Sequence, residues 1–170
     1  MHRHLYIIII MWLLSTVLFV SCQEALFYSH YEHVSCKGWN NCDTLVFDIP
    51  QTEKDETFSL QLCVRTTDSY EYNSIAFTTE VLADSIPVAY DTIHINIYDE
   101  KGNSRGIGFP YTEIASEPKI ITLNAGKNYQ IRITHAMRLN PLPNVTEAGI
   151  TLQRLAQQTS HVNSVESDKR

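Results

Sequence analysis

The stretch TFSLQLCVR, from Thr57 to Arg65, alternates without a break: Phe58, Leu60, Leu62 and Val64 on one side, Ser59, Gln61, Cys63 and Arg65 on the other. A period of two belongs to a strand with one buried face, and a helix would scatter those four apolar residues around its axis. The pattern returns in TLVFDI (Thr44 to Ile49), TIHINIYD (Thr92 to Asp99) and NYQIRIT (Asn128 to Thr134), and more softly over 26–33, 74–82, 119–124 and 149–155. Between these runs, IPQTEKDE, DEKGN, NAGKN and NPLPN carry Gly, Pro, Asn or Asp where the chain must reverse. About eight strands with one polar face each predict an all-β fold, an antiparallel β-sandwich.

The N-terminus obeys a different rule. Leu5 to Val20 is an apolar run of 16 residues after the basic start Met1-His2-Arg3-His4. As a helix it would reach only about 24 Å, short of a hydrocarbon core about 30 Å thick. It ends at the small residue Ser21, directly before Cys22. Basic start, apolar run and small exit residue are the parts of an export signal, predicted to be removed over residues 1–21. FVSC (Phe19 to Cys22) resembles a bacterial lipobox, with Phe19 where Leu is more usual. The chemistry needs a thiol there, because the lipid is joined through a thioether, so Cys22 is the predicted lipidation site. Residues 22–25 would then be a lipidated linker and 26–155 the β-sandwich domain. The polar stretch 156–170 has little to bury and reads as a disordered tail.

Removal of 21 residues from 170 leaves 149, enough for one core. The remainder carries 12 basic and 19 acidic residues, and that sign excludes nucleic acid as a natural partner. Cys36, Cys42 and Cys63 remain after Cys22, an odd number. Cys36 and Cys42 can close a short ring, while a pairing with Cys63 or no bridge at all stay open. Their spacing is not that of a zinc ribbon, and no metal or other cofactor is expected. His30 and His33, an offset of three in a strand, fall on opposite faces and cannot share an ion. No nucleophile elbow or converging acid–base set argues for catalysis, and no catalytic residue is assigned.

Asp43-Thr44-Leu45, Asp84-Ser85-Ile86 and Asp91-Thr92-Ile93 resemble the short O-glycosylation acceptor of exported Bacteroidota proteins, which would make Thr44, Ser85 and Thr92 acceptors. Turn-to-strand junctions produce the same triplet without any sugar.

YEHVSCKGWNNCDTLVFDI, from Tyr31 to Ile49, resembles the opening of the gliding-motility lipoprotein GldH family, with Tyr31, Gly38, Trp39, Asp43 and Phe47 at the matching positions. The far end is similar too, at Gly126, Tyr129, Met137, Arg138, Leu142, Val145, Gly149 and Ile150. Cys36, Cys42 and the long polar tail depart from that pattern. The resemblance implies a non-enzymatic outer-membrane lipoprotein, held by its lipid and facing the periplasm. It would support a gliding- or secretion-associated envelope machine through envelope protein partners. A glycan-binding lipoprotein on the same sandwich is the alternative, which a groove of clustered exposed aromatics would favour. The expected partner surface is the end formed by the Cys36–Asp43 and Arg138–Glu147 loops, with Trp39, Arg138, Pro141 and Pro143 as candidates. Trp39 also admits a buried reading, as the plug of the sandwich end. Arg138 is expected to tie the Asn140–Glu147 loop by charge-assisted hydrogen bonds.

Overall fold

Thr57 to Arg65 lies in the longest strand of the protein. In the computed structural model, which describes residues 26–155, the strands are β1 (Leu26–His33), β2 (Leu45–Ile49), β3 (Glu56–Thr67), β4 (Ser74–Ala83), β5 (Ile86–Asn96), β6 (Tyr111–Ala115), β7 (Lys119–Leu123), β8 (Tyr129–His135) and β9 (Val145–Arg154). All their pairings are antiparallel, and no helix occurs among the described residues. One sheet runs β1-β9-β3 with β6 and β7 sharing the far side of β3, and the other runs β2-β8-β4-β5. The sequence reading of an all-β sandwich therefore holds, with nine strands where about eight were expected. The signal segment, Cys22, the 22–25 linker and the 156–170 tail lie outside the described residues.

The alternation in β3 does what its period requires. Phe58, Leu60, Leu62 and Val64 are all buried against the opposite sheet, whose Phe47, Phe77, Ile131 and Ile133 complete the core. Two such faces packed about 10 Å apart exclude water from every side chain between them.

Three elements differ from the sequence reading. Strand β6 was not expected, because YTEIA buries only Ile114 and offers too short an alternation to register. It and β7 are two halves of one edge, divided at Ser116. There Leu62 N–H donates to Ser116 Oγ (3.0 Å) and Ser116 N–H donates to Leu62 O (2.7 Å). Strand β5 starts at Ile86, six residues before the visible alternation, since Ile86 to Tyr90 are all exposed and show no periodic burial. Its pairing with β4 is set instead by a two-residue turn, with Asp84 and Ser85 both at positive φ (50° and 68°). Finally, Val145–Glu147, expected in a loop, opens β9.

The registers define two ends. His33, Leu45, Thr67, Ser74, Asn96, Tyr111, His135 and Val145 mark the upper end; Leu26, Ile49, Glu56, Ala83, Leu123, Tyr129 and Arg154 mark the lower.

On the outer face of the five-stranded sheet, Tyr31 and Cys63 both sit in register with Gly149. A Cβ at Gly149 would lie 2.5 Å from His30 O and 2.7 Å from Tyr31 Cδ1, so the Tyr31 ring rests directly on the glycine backbone. That cover explains why Cys63, which points away from the core, is nevertheless buried. Gly149→Ala is expected to lower stability by about 1–3 kcal/mol, the usual cost of overpacking. A urea denaturation midpoint unchanged from wild type would show that the Tyr31 ring is free to move aside.

Candidate functional site

Four connections converge at the upper end and are hydrogen-bonded into one surface. Trp39 and Leu142 form an isolated bridge, Trp39 N–H to Leu142 O at 2.9 Å and Leu142 N–H to Trp39 O at 2.7 Å. Thr67 N–H donates to Asn144 O (3.0 Å), and Asn144 Nδ2 donates to Ser69 O (2.7 Å). Ile97 N–H donates to Asn73 O (2.8 Å), and Arg105 N–H to Ile97 O (2.8 Å). The loops after β1, β3, β5 and β8 are thus one continuous surface.

Trp39 organises its centre. It is 1 % exposed, with its ring 5.7 Å from Phe77 and 5.5 Å from His135, and its indole N–H donates to Asp43 O at 2.7 Å. A buried indole needs such a partner for its one polar group. Gly38 precedes it at φ +104°, and a Cβ there would lie 3.0 Å from Pro141 Cβ and 3.1 Å from Leu142 O, so the glycine backbone packs directly on the other loop. The buried reading of Trp39 holds, and as a member of an exposed partner surface Trp39 is corrected: its ring is core.

The other candidates are distributed as follows. Arg138, Pro141 and Pro143 are exposed at this end. Arg138 makes no side-chain hydrogen bond or ion pair among the described residues. The loop is tied instead by Asn140 Oδ1, which accepts from Asn41 N–H (2.9 Å), and by the Trp39–Leu142 bridge. Cys36 and Cys42 are free, exposed thiols and Cys63 is a free, buried one. The Cys36–Cys42 ring is therefore not closed in this structure; between the two thiols the chain is held by the inward Trp39. Thr44 and Thr92 are exposed beside the outer face of the four-stranded sheet, and Ser85 is exposed in the β4–β5 turn. His30 and His33 meet different carboxylates, Glu32 and Glu147, each at 3.0 Å. Among the described residues no three His, Cys, Asp or Glu side chains are grouped to hold a metal ion.

Two groupings were invisible in the sequence. His135 closes β8 and is 3 % exposed beneath Trp39. Its Nδ1 accepts from Met137 N–H (3.3 Å), while Nε2 is buried without a partner. Burial pushes its pKa below the ordinary imidazole range. On the outer face of the five-stranded sheet, Arg65 pairs with Glu113 (2.8 Å) and with Glu147, and its guanidinium lies 4.1 Å over the Tyr31 ring. Burial, then the neighbouring Cys63 and Glu113, push the Tyr31 phenol well above its usual range, so it stays protonated. All these groups satisfy one another, and the cluster reads as the clasp that holds the Tyr31 ring on Gly149.

The fold and this end describe a small antiparallel β-sandwich whose closing loops, rather than a cleft with reactive groups, form its most constructed surface. The sequence model of the GldH lipoprotein matches residues 26–152, and the chain belongs to that family. It is a GldH-like, membrane-anchored lipoprotein. No curated protein matches the chain. Among solved structures it is similar to a CocE/NonD family hydrolase from Staphylococcus aureus, at 7 % identity and a TM-score of 0.42 over 77 % of this chain and 34 % of that one. It is also similar to dimeric latent PorU from Porphyromonas gingivalis, at 12 % identity and a TM-score of 0.32 over 79 % of this chain and 14 % of that one. A family 35 carbohydrate binding module from Clostridium thermocellum matches at 13 % identity and a TM-score of 0.30, over 71 % of this chain and 97 % of that one. The chain spans about a third of the length of the hydrolase. At these scores the likenesses carry no argument about function.

A histidine held neutral by the fold makes the unfolded chain the better proton acceptor. Stability from this source is full above the unfolded pKa, near 6.5, and is lost as pH falls toward the depressed folded value. The difference in thermal midpoint between wild type and His135→Gln should therefore change between pH 7.5 and pH 5, with wild type losing more on acidification. A constant difference would mean that His135 does not titrate against folding.

Proposed function

We propose that the chain is an outer-membrane lipoprotein of a Bacteroidota envelope, anchored through Cys22 and facing the periplasm. In this reading it works without catalysis, as a protein-binding component of gliding- or secretion-associated machinery. The observation that carries it is membership of the GldH lipoprotein family over residues 26–152, joined to the lipobox-like FVSC that ends the N-terminal apolar run. The partner surface is the upper end, where the 138–144 segment is already braced by Asn140 and by the Trp39–Leu142 bridge. A loop ordered before docking loses less entropy on binding. The alternative, glycan binding, has less in its favour among the described residues: of the exposed aromatics, Phe109 and Tyr111 are neighbours at the start of β6, while Tyr90 stands on β5 of the other sheet.

Cys22→Ala is expected to move the protein from the membrane to the soluble fraction and to abolish fatty-acid labelling; persistent labelling would exclude Cys22 as the anchor. Arg138→Glu, at an exposed and unpaired side chain, should weaken partner capture while leaving the thermal midpoint within about 2 °C, since surface changes away from special features stay near ±0.5 kcal/mol. Normal capture by the variant would move the interface off this loop.

A further inference from the structure

Phe109 is 89 % exposed and Ile107, two residues earlier, 78 %, the largest exposures of any big apolar side chains among the described residues. They sit on a connection that is anything but loose. At its base Asp99 Oδ1 accepts from Lys101 N–H and Asn103 N–H, both at 2.8 Å, and Oδ2 accepts from Asn103 Nδ2 at 3.0 Å. Ile107 and Glu113 exchange backbone hydrogen bonds of 3.0 and 2.8 Å. The glycines on either side of Ile107 have no room for a side chain. A Cβ at Gly106 would lie 2.2 Å from Thr112 Cγ2, and one at Gly108, at φ +115°, would lie 2.6 Å from Tyr111 O. The backbone is folded tightly on itself while its two largest apolar groups are turned outward.

We propose that Ile107 and Phe109 form a rigid apolar knuckle that inserts into an apolar pocket of a protein partner on the membrane-distal side. The inference rests on the reading of Cys22 as anchor and of the upper end as partner surface, and it names the element of that surface that supplies the anchor side chains. The covalent geometry selects the occupant. Four residue steps from Cys22 to Leu26 span at most about 14 Å, and Leu26 lies at the lower end. β3, with 12 residues, runs from that end to the upper one and covers about 40 Å. The knuckle, tied to the upper end through Arg105, Ile97 and Asn73, is thus turned away from the bilayer that holds the lipid. A second copy of this chain is a poor receptor. The cleft of about 400 Å³ beside the knuckle is lined by Ile95, Ile114 and Ile107 itself, so part of its apolar wall is the knuckle, and a phenyl ring entering it would also desolvate His94, Arg105, Glu113 and Glu117. A protein pocket suits it, because binding energy concentrates in a few large side chains that bury fully on docking.

The test uses the full lipid-anchored chain in its cell envelope, with a benzophenone amino acid in place of Phe109, Arg138 or Ile120 in separate variants. Ile120, exposed on β7, is the control. The expected result is an adduct of one fixed mass with a single protein from position 109 and none from position 120. That protein, purified, should bind Phe109→Ser at least about tenfold more weakly than wild type, with an unchanged thermal midpoint. Adducts to lipid or to a second copy, no adduct at 109, or equal affinity of Phe109→Ser would each overturn the knuckle. An adduct at 138 with none at 109 removes the knuckle alone, and adducts at neither position remove the upper-end reading with it.

Discussion

A sandwich of two sheets is open at its ends, and the upper end of this one is closed by a single indole. Trp39 lies on Phe77 and His135, gives its N–H to Asp43 O and exchanges two backbone hydrogen bonds with Leu142. An aromatic of this size removes about 150–250 Å² from water, and it does so where the β1–β2 connection crosses the β8–β9 connection. Everything else at that end is placed relative to it. Gly38 must be a glycine so that Pro141 can approach, and Asn140 can meet Asn41 only because the bridge holds the loops in register. His135 is buried because the indole covers it.

The two outer faces solve a different problem, that of side chains pointing away from the core. On the five-stranded sheet a glycine in register with Tyr31 lets the phenol ring lie flat, and Arg65, pinned by Glu113 and Glu147, covers the ring in turn. On the four-stranded sheet polar pairs suffice. Gln130 donates to Asp48 at 2.8 Å and Thr78 meets Thr134 at 2.9 Å. The thin side, where β5 faces β6 and β7, is crossed by the Lys119–Asp91 ion pair. Each of these groups is answered by a neighbour on its own face or across the thin side.

Legibility followed the strength of local periodicity. Phe58, Leu60, Leu62 and Val64 were readable as one buried face because four successive inward positions leave no other period. Ile86 to Tyr90 were not, because β5 is the edge of its sheet and its residues there are all exposed, so backbone pairing alone makes them a strand. β6 escaped for a related reason, having one buried position in five. Of the candidate site, the meeting of the 36–43 and 138–144 loops was legible from Gly38, Trp39 and Leu142 in a family-like order. The exposed pair Ile107 and Phe109 was not. Apolar residues next to Gly and Pro read equally well as a small buried turn, and only the fold shows which way they point.

The sequence by itself determined the class of structure: alternating runs that can only be half-buried strands, beside an N-terminal apolar run of 16 residues, Leu5 to Val20, that stops just before Ser21 and Cys22. The sign of the net charge was equally its own. Tertiary structure decided which of the outward or isolated groups would be covered. Cys63 is buried by a tyrosine from β1 and His135 by the indole in the β1–β2 loop, while Arg65 is paired with carboxylates from β6 and β9. Each of those partners is distant along the chain, and periodicity is a property of neighbours. Burial by a residue from another strand has no local signature, which is why the core was written in the sequence and its coverings were not.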